Sequence, residues 1–168
     1  PITVTVAIAI KLNSSGPIFY SQVRTGLNGK KFRLYKFRSM YQNAEAKGIQ
    51  WTKEKDPRIT PVGSFIRLTR IDELPQLWSI IRGDMSFVGP RPALFNQHDL
   101  IELRNQCGIS SLLPGLTGWA QVNGRDELGL AEKVGYDQEY LNRQSTLFDL
   151  YIMWLTFLKV IRRDGVSH

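Results

Sequence analysis

The chain has 168 residues, 42% of them apolar and 22% charged; this makes a globular rather than a disordered chain the default and suits one compact core. The single cysteine, Cys107, excludes an internal disulfide framework and fits a reduced, cytosol-facing setting, and with only His98 and His168 beside it the chain argues against a zinc site. The net charge of +7 is concentrated: residues 1–44 hold seven Lys and Arg and no acid, whereas the rest of the chain holds 15 residues of each sign.

Next to that basic stretch lies an apolar start, Ile2 to Ile10. Basic residues beside an apolar segment are what an anionic cytoplasmic leaflet attracts. They would also suit a nucleic-acid surface, or a solvated hairpin that binds nothing. The segment is too short to span a bilayer, which takes about 20 residues. It reads as a piece of a longer membrane segment, as a buried element, or, from its Ile/Thr/Val alternation, as a strand.

A turn cluster at 13–17 leads into two predicted strands, 18–24 and 31–37, around the Gly-rich tip 25–29. Residues 41–47 read as a polar helix. Asp56-Pro57 and Pro61 mark a loop, and Ser64 is placed as the cap of a short helix over 65–70. A second helix is expected from Asp72 to Ile81, with Pro75 tolerated in its first turn. Residues 83–92 read as loop, 94–106 as helix, 113–125 as an ordered loop broken by Pro114, Gly115, Gly118 and Gly124, and 130–142 as helix. The last helix, 147–161, is apolar on nearly every face. It is expected in the core, with an interfacial position as the alternative: Tyr151 and Trp154 would sit at headgroup level and Lys159, Arg162 and Arg163 would snorkel.

Several motifs could carry chemistry. Asp72 and Glu73 are adjacent carboxylates at a helix start, where they could simply be an N-cap and a first-turn acid. The same dipole, with Arg67 and Arg70 nearby, would keep Asp72 ionised for a role as nucleophile or metal ligand. Arg91 stands between Pro90 and Pro92, which stiffen its backbone; a rigid Arg suits bidentate phosphate binding, and a surface turn is the plainer reading. Lys36 and Arg38 would share one strand face, as an electropositive wall or a solvated surface. Residues 114–125, with Trp119, Gln121, Asn123 and Arg125, could hold an anion or a base ring, or be purely structural. No Walker A, GxGxxG or Ser-His-Asp pattern occurs.

In order along the chain, Lys36-Phe-Arg-Ser-Met40, Asp72-Glu-Leu-Pro-Gln-Leu77, Gly83-Asp-Met-Ser-Phe-Val-Gly-Pro-Arg-Pro92, Pro114-Gly-Leu-Thr-Gly-Trp-Ala-Gln-Val-Asn-Gly-Arg125 and Asp149-Leu with Thr156 strongly resemble the bacterial sugar transferase family, the monotopic polyprenyl-phosphate phosphoglycosyl transferases. The likeness covers nearly the whole chain and departs at Ser15 and Leu113, where the family often has Pro and a basic residue. It implies a single, mainly helical α+β domain over 1–168 with a small β-hairpin near the N-terminus. Residues 1–12 would be the remnant of a re-entrant membrane helix, and the domain would sit on the cytoplasmic face of the bacterial inner membrane. It further implies a UDP-sugar and polyprenyl phosphate as substrates, anionic lipids and no nucleic acid as partners, and Mg²⁺ as cofactor. Asp72 would be nucleophile and metal ligand and Glu73 the supporting acid/base. Lys36, Arg38, Arg67, Arg70, Arg91, Gln121, Asn123 and Arg125 would bind substrate. A nucleic-acid-binding domain and a phosphodiester hydrolase are the alternatives, distinguished by DNA binding without UMP release and by release of free sugar phosphate without a lipid acceptor.

Overall fold

The computed structural model describes residues 1–42, 44, 56–124 and 127–162. The helix expected over 41–47 falls mostly outside that set, as do Arg125 and Arg163. The fold is mainly helical with two small sheets. It divides into two compact units, one from Pro1–Ser21 with Tyr35–Pro75 and the other from Gln22–Leu34 with Gln76–Gly165.

The first unit opens with helix α1, Ile2–Asn13. The alternating β-branched residues do not make a strand, because it is the helical spacing that buries Val6 and Ile10 together. They pack with Phe37, Ile66, Ala7, Ile18, Val62, Ile71 and Leu74. Ile2, Val4, Ile8 and Leu12 stay exposed. Strands β1 (Phe19–Thr25) and β2 (Lys31–Phe37) form the expected hairpin. Helix α2 spans Pro61–Leu68 rather than 65–70. Thr60 caps it, its hydroxyl accepting from the Gly63 N–H at 2.8 Å, and Pro61 supplies a preset first turn, so Ser64 lies inside the helix. Arg70 then adopts a left-handed conformation (φ 59°). The chain continues not as an α-helix capped by Asp72 but as a 3-10 turn, Ile71–Gln76, followed by the short α3, Leu77–Ile81. Pro75 lies inside this turn and, lacking an N–H, donates no backbone hydrogen bond there.

In the second unit, β4 (Ala93–Leu94) pairs antiparallel with the end of β1, Arg24 opposite Leu94 and Thr25 opposite Ala93, giving sheet order β2-β1-β4. The stretch 83–92 is not all loop: β3 (Ser86–Val88) runs parallel to β5 (Gly115–Thr117), within the segment expected to be an ordered loop. The expected helix over 94–106 loses its start to β4 and begins as α4 at His98, ending at Gln106. After α5 (Trp119–Asn123), α6 (Leu130–Arg143) and α7 (Thr146–Arg162) match expectation within a residue. Val88, Val122, Tyr140, Phe148 and Ile152 make one core cluster; Ala93, Leu100, Ile109 and Val134 make another.

Core burial along the whole of α7 does not hold. Only Phe148 and Ile152 are buried, while Leu147 is 79% exposed and Leu150, Tyr151, Trp154, Phe157 and Ile161 face outward. No helix among the described residues is long and apolar enough to cross a membrane. This one-sidedness predicts that Ile152→Ala costs about 3 kcal/mol of stability, while Trp154→Ala stays within about 0.5 kcal/mol. Denaturant unfolding of the two variants measures the contrast; equal losses would place the outer face of α7 in a core.

Candidate active site

Strand β2 and the 3-10 turn bring a charged cluster together in the first unit. Asp72 and Glu73 are 7% and 9% exposed, so neither is a solvated surface acid. Lys36, at the end of β2, donates from Nζ to Glu73 Oε1 at 2.6 Å. Asp72 receives no such bond from any described residue. Burial raises its pKa above the ordinary aspartate range; Lys36, Arg67 and Arg70 pull it down, Glu73 pushes it further up, and the balance lies upward. Desolvation is the largest of these influences, and Arg67 and Arg70 act against it. A desolvated carboxylate that is close to cations and accepts no hydrogen bond from the described residues keeps its lone pairs available to an electrophile, as a nucleophile requires. Among the described residues the groups that act on one another here are two acids, Asp72 and Glu73, and three basic side chains, Lys36, Arg67 and Arg70.

Arg38 serves a different purpose from Lys36. It is buried, and its guanidinium donates to the Ser15 carbonyl and, at 2.8 and 2.9 Å, to the Ser14 carbonyl and hydroxyl, tying down the chain just beyond α1. The two residues thus do not form a common electropositive wall.

Arg91, Gln121 and Asn123 belong to the second unit. There the Gly89-Pro-Arg-Pro92 segment lies directly on the loop that carries β5. The Gly89 N–H donates to Thr117 O, and the Gly115 N–H to Pro90 O, both at 2.9 Å. A Cβ on Gly89 would stand 2.3 Å from Leu113 O, and one on Gly118 2.1 Å from Gly89 O, so no side chain fits between these backbones. Arg91 is half-buried, and its guanidinium has no hydrogen-bond or ion-pair partner among the described residues. The Trp119 indole donates to Glu139 at 2.8 Å, and the exposed Asn123 amide donates to the Trp119 carbonyl at 2.8 Å, so both donors are engaged. The Gln121 amide is buried without a partner among the described residues. Arg125 lies outside them. Asp149 and Thr156 are structural, accepting from the Tyr140 hydroxyl at 2.8 Å and meeting the Thr117 hydroxyl at 2.6 Å.

Sequence reasoning missed a buried pair: Arg104 on α4 bonds Asp137 on α6 through Nε at 2.9 Å and Nη2 at 2.6 Å. Both helices carry several charged residues, so no local signal singles out this pair. No group of three or more His, Cys, Asp or Glu among the described residues could hold a metal ion by itself.

Residues 1–163 match the family model described as bacterial sugar transferase. The chain is 41% identical over 163 residues to an uncharacterized sugar transferase, EpsL, of Bacillus subtilis, covering 97% of this chain and 79% of that protein. It is 41% identical over 171 residues to the UDP-glucose:undecaprenyl-phosphate glucose-1-phosphate transferase of Escherichia coli, covering 95% and 36%. It is 38% identical over 171 residues to a UDP-N-acetylgalactosamine-undecaprenyl-phosphate N-acetylgalactosaminephosphotransferase of Aeromonas hydrophila, covering 98% and 40%. The chain therefore spans about two fifths or less of the length of the last two.

Because burial raises the Asp72 pKa, the folded state favours its neutral form, and ionisation costs stability as pH rises through the carboxylate range. Asp72→Asn should accordingly melt no lower than wild type at neutral pH. In a ¹³C-detected titration Asp72 should ionise above the usual aspartate range, and higher still in Lys36→Met, which removes the strongest lowering influence. A midpoint at the ordinary value in wild type contradicts this electrostatic picture.

Proposed function

Since the chain belongs to the bacterial sugar transferase family, we propose that it transfers a sugar-1-phosphate from a UDP-sugar to polyprenyl phosphate through a covalent intermediate on Asp72. The single observation that carries this reading is the inequality of two adjacent buried carboxylates. Glu73 is bound by Lys36, and Asp72 has no donor among the described residues. The names of the Escherichia coli and Aeromonas hydrophila relatives support the substrate classes.

In the first step an Asp72 carboxylate oxygen attacks the β-phosphorus. The bond from that phosphorus to the bridging oxygen breaks, and UMP leaves with the electron pair. In the second, an oxygen of polyprenyl phosphate attacks the same phosphorus and releases the Asp72 carboxylate, giving a polyprenyl diphosphosugar. Neither step requires a redox partner. Lys36, Arg67 and Arg70 offset charge on the transferring group, which is most of what phosphoryl transfer asks of a protein. Glu73, oriented by Lys36, is the supporting acid/base. Arg91 supplies a planar fork for the diphosphate. Gln121 offers an unbonded amide to the substrate.

Mg²⁺ fits this cluster. It takes one or two carboxylates and completes its shell with water and substrate phosphate oxygens, and Asp72 offers a bare, desolvated oxygen donor of that kind. Asp72 would hold it, and the ion would neutralise diphosphate charge.

We also place the protein on the cytoplasmic face of a bacterial membrane, where it would provide the first lipid-linked sugar of a polysaccharide. In support, α1 and α7 each leave an apolar face uncovered. Residues 1–44 carry the whole net charge, as the positive-inside bias favours. The mode would be monotopic, with apolar faces resting in one leaflet and basic residues on headgroups.

Two outcomes follow. Asp72→Asn should lose UMP release from UDP-sugar by at least about 10³-fold, the scale expected when an essential nucleophile is removed, while remaining folded; turnover near wild type would remove Asp72 from that role. Trp154→Asp should weaken sedimentation with anionic vesicles at high salt without changing the melting temperature. Unchanged vesicle binding would take α7 out of the membrane contact.

A further inference from the structure

The main chain around Arg91 is held at three consecutive carbonyls. Pro90 O accepts from the Gly115 N–H at 2.9 Å. Arg91 O accepts from Arg104 Nη1 at 2.8 Å, and Pro92 O from Arg24 Nη1 at 3.0 Å. Pro90 and Pro92 fix φ on either side. The backbone of this half-buried arginine is thus restrained, while its guanidinium is without a partner among the described residues.

The donor to Arg91 O is itself one half of a buried ion pair. Arg104 is 9% exposed and Asp137 1% exposed. Arg104 divides its fork, two N–H groups to one Asp137 oxygen and a third to Arg91 O. Well-packed apolar residues would commonly stabilise such a site as well as a buried ion pair does. They could not present a directed donor to the Arg91 carbonyl. Arg24 approaches from β1 and is itself braced by Gln22, whose side-chain oxygen lies 2.7 Å from Nη2.

We propose that Arg104, oriented by Asp137, and Arg24 are positioning residues that lock the Arg91 backbone so that its guanidinium stands ready for the substrate diphosphate. This rests on the reading of Arg91 as a phosphate ligand. Neither Arg104 nor Arg24 touches substrate. Their contribution is preorganisation: the entropy of ordering the Pro-Arg-Pro segment is met on folding rather than on binding.

The test is a double-mutant cycle on the full chain in detergent, with UDP as the probe in calorimetry and melting temperature recorded for every variant. Arg91→Ala should weaken UDP binding about tenfold, the scale of a lost charge-assisted contact. Arg104→Lys keeps the charge against Asp137 but cannot reach Asp137 and Arg91 O together. It should weaken UDP binding several-fold, and the double variant should bind no more weakly than Arg91→Ala, because a missing side chain needs no positioning. Arg24→Gln goes through the same cycle and decides the matter if Arg104→Lys fails to fold. The proposal is overturned if the positioning variants bind UDP like wild type, or if their losses multiply with that of Arg91→Ala, as a general structural weakening would. It is also overturned if Arg91→Ala binds UDP like wild type. UMP release by the wild-type preparation reads the family-level function separately from all of these.

Discussion

Lys36 reaches from the end of β2 to Glu73, 37 residues further along the chain, and closes a 2.6 Å bond. Next to it Asp72 is equally buried and has no donor from the described residues. Two like charges at adjacent positions, withdrawn from water, destabilise each other. Binding one of them to a cation makes the pair tolerable and leaves the other chemically available. The surroundings follow from this. Phe37, Ile71 and Leu74, chain neighbours of Lys36, Asp72 and Glu73, pack into one hydrophobic cluster with Ile66. The Thr60-Pro61 start of α2 sets the approach to the turn, and Arg67 and Arg70 add positive field.

The left-handed Arg70 belongs to the same constraint. A non-glycine residue at φ 59° costs on the order of 1–2 kcal/mol. Glycine would relieve it but would carry no charge next to Asp72. Local strain here accompanies a residue whose side chain the electrostatics use. The arginines divide in a similar way: Arg38 and Arg104 are buried and bonded to backbone carbonyls, whereas Arg91 shows an uncommitted guanidinium on a restrained backbone. Burial with hydrogen bonding sets the first two apart from the third.

What was legible in the sequence had a local cause. The hairpin 18–24/31–37 shows alternation around a Gly-rich tip, and α6 and α7 show long helical patterns, so their limits were found within a residue. Ser64 and Thr60-Pro61 are both ordinary helix-start signals, and local sequence does not choose between them; the structure starts α2 at Pro61. Strands β3, β4 and β5 are two or three residues long and owe their existence to partners distant in sequence, which no local pattern reports. Asp72 and Glu73 were recognised by motif, but their different states depend on Lys36, and the raised Asp72 pKa depends on burial that sequence does not show. The Arg104–Asp137 pair, 33 residues apart, was invisible for the same reason. Periodicity recorded that α7 is apolar all round; only the packed structure shows that most of that surface is left uncovered.

The central claim is that Asp72, rather than Glu73 or water, attacks the substrate phosphorus. Intact-protein mass spectrometry after mixing the protein with a UDP-sugar and no lipid acceptor tests it most directly, with peptide mapping to locate any adduct. The account predicts a mass increase of one sugar phosphate, matched by UMP release, mapped to Asp72, and discharged when polyprenyl phosphate is added. UMP release only in the presence of the acceptor, or an adduct on Glu73 or any other residue, would contradict it.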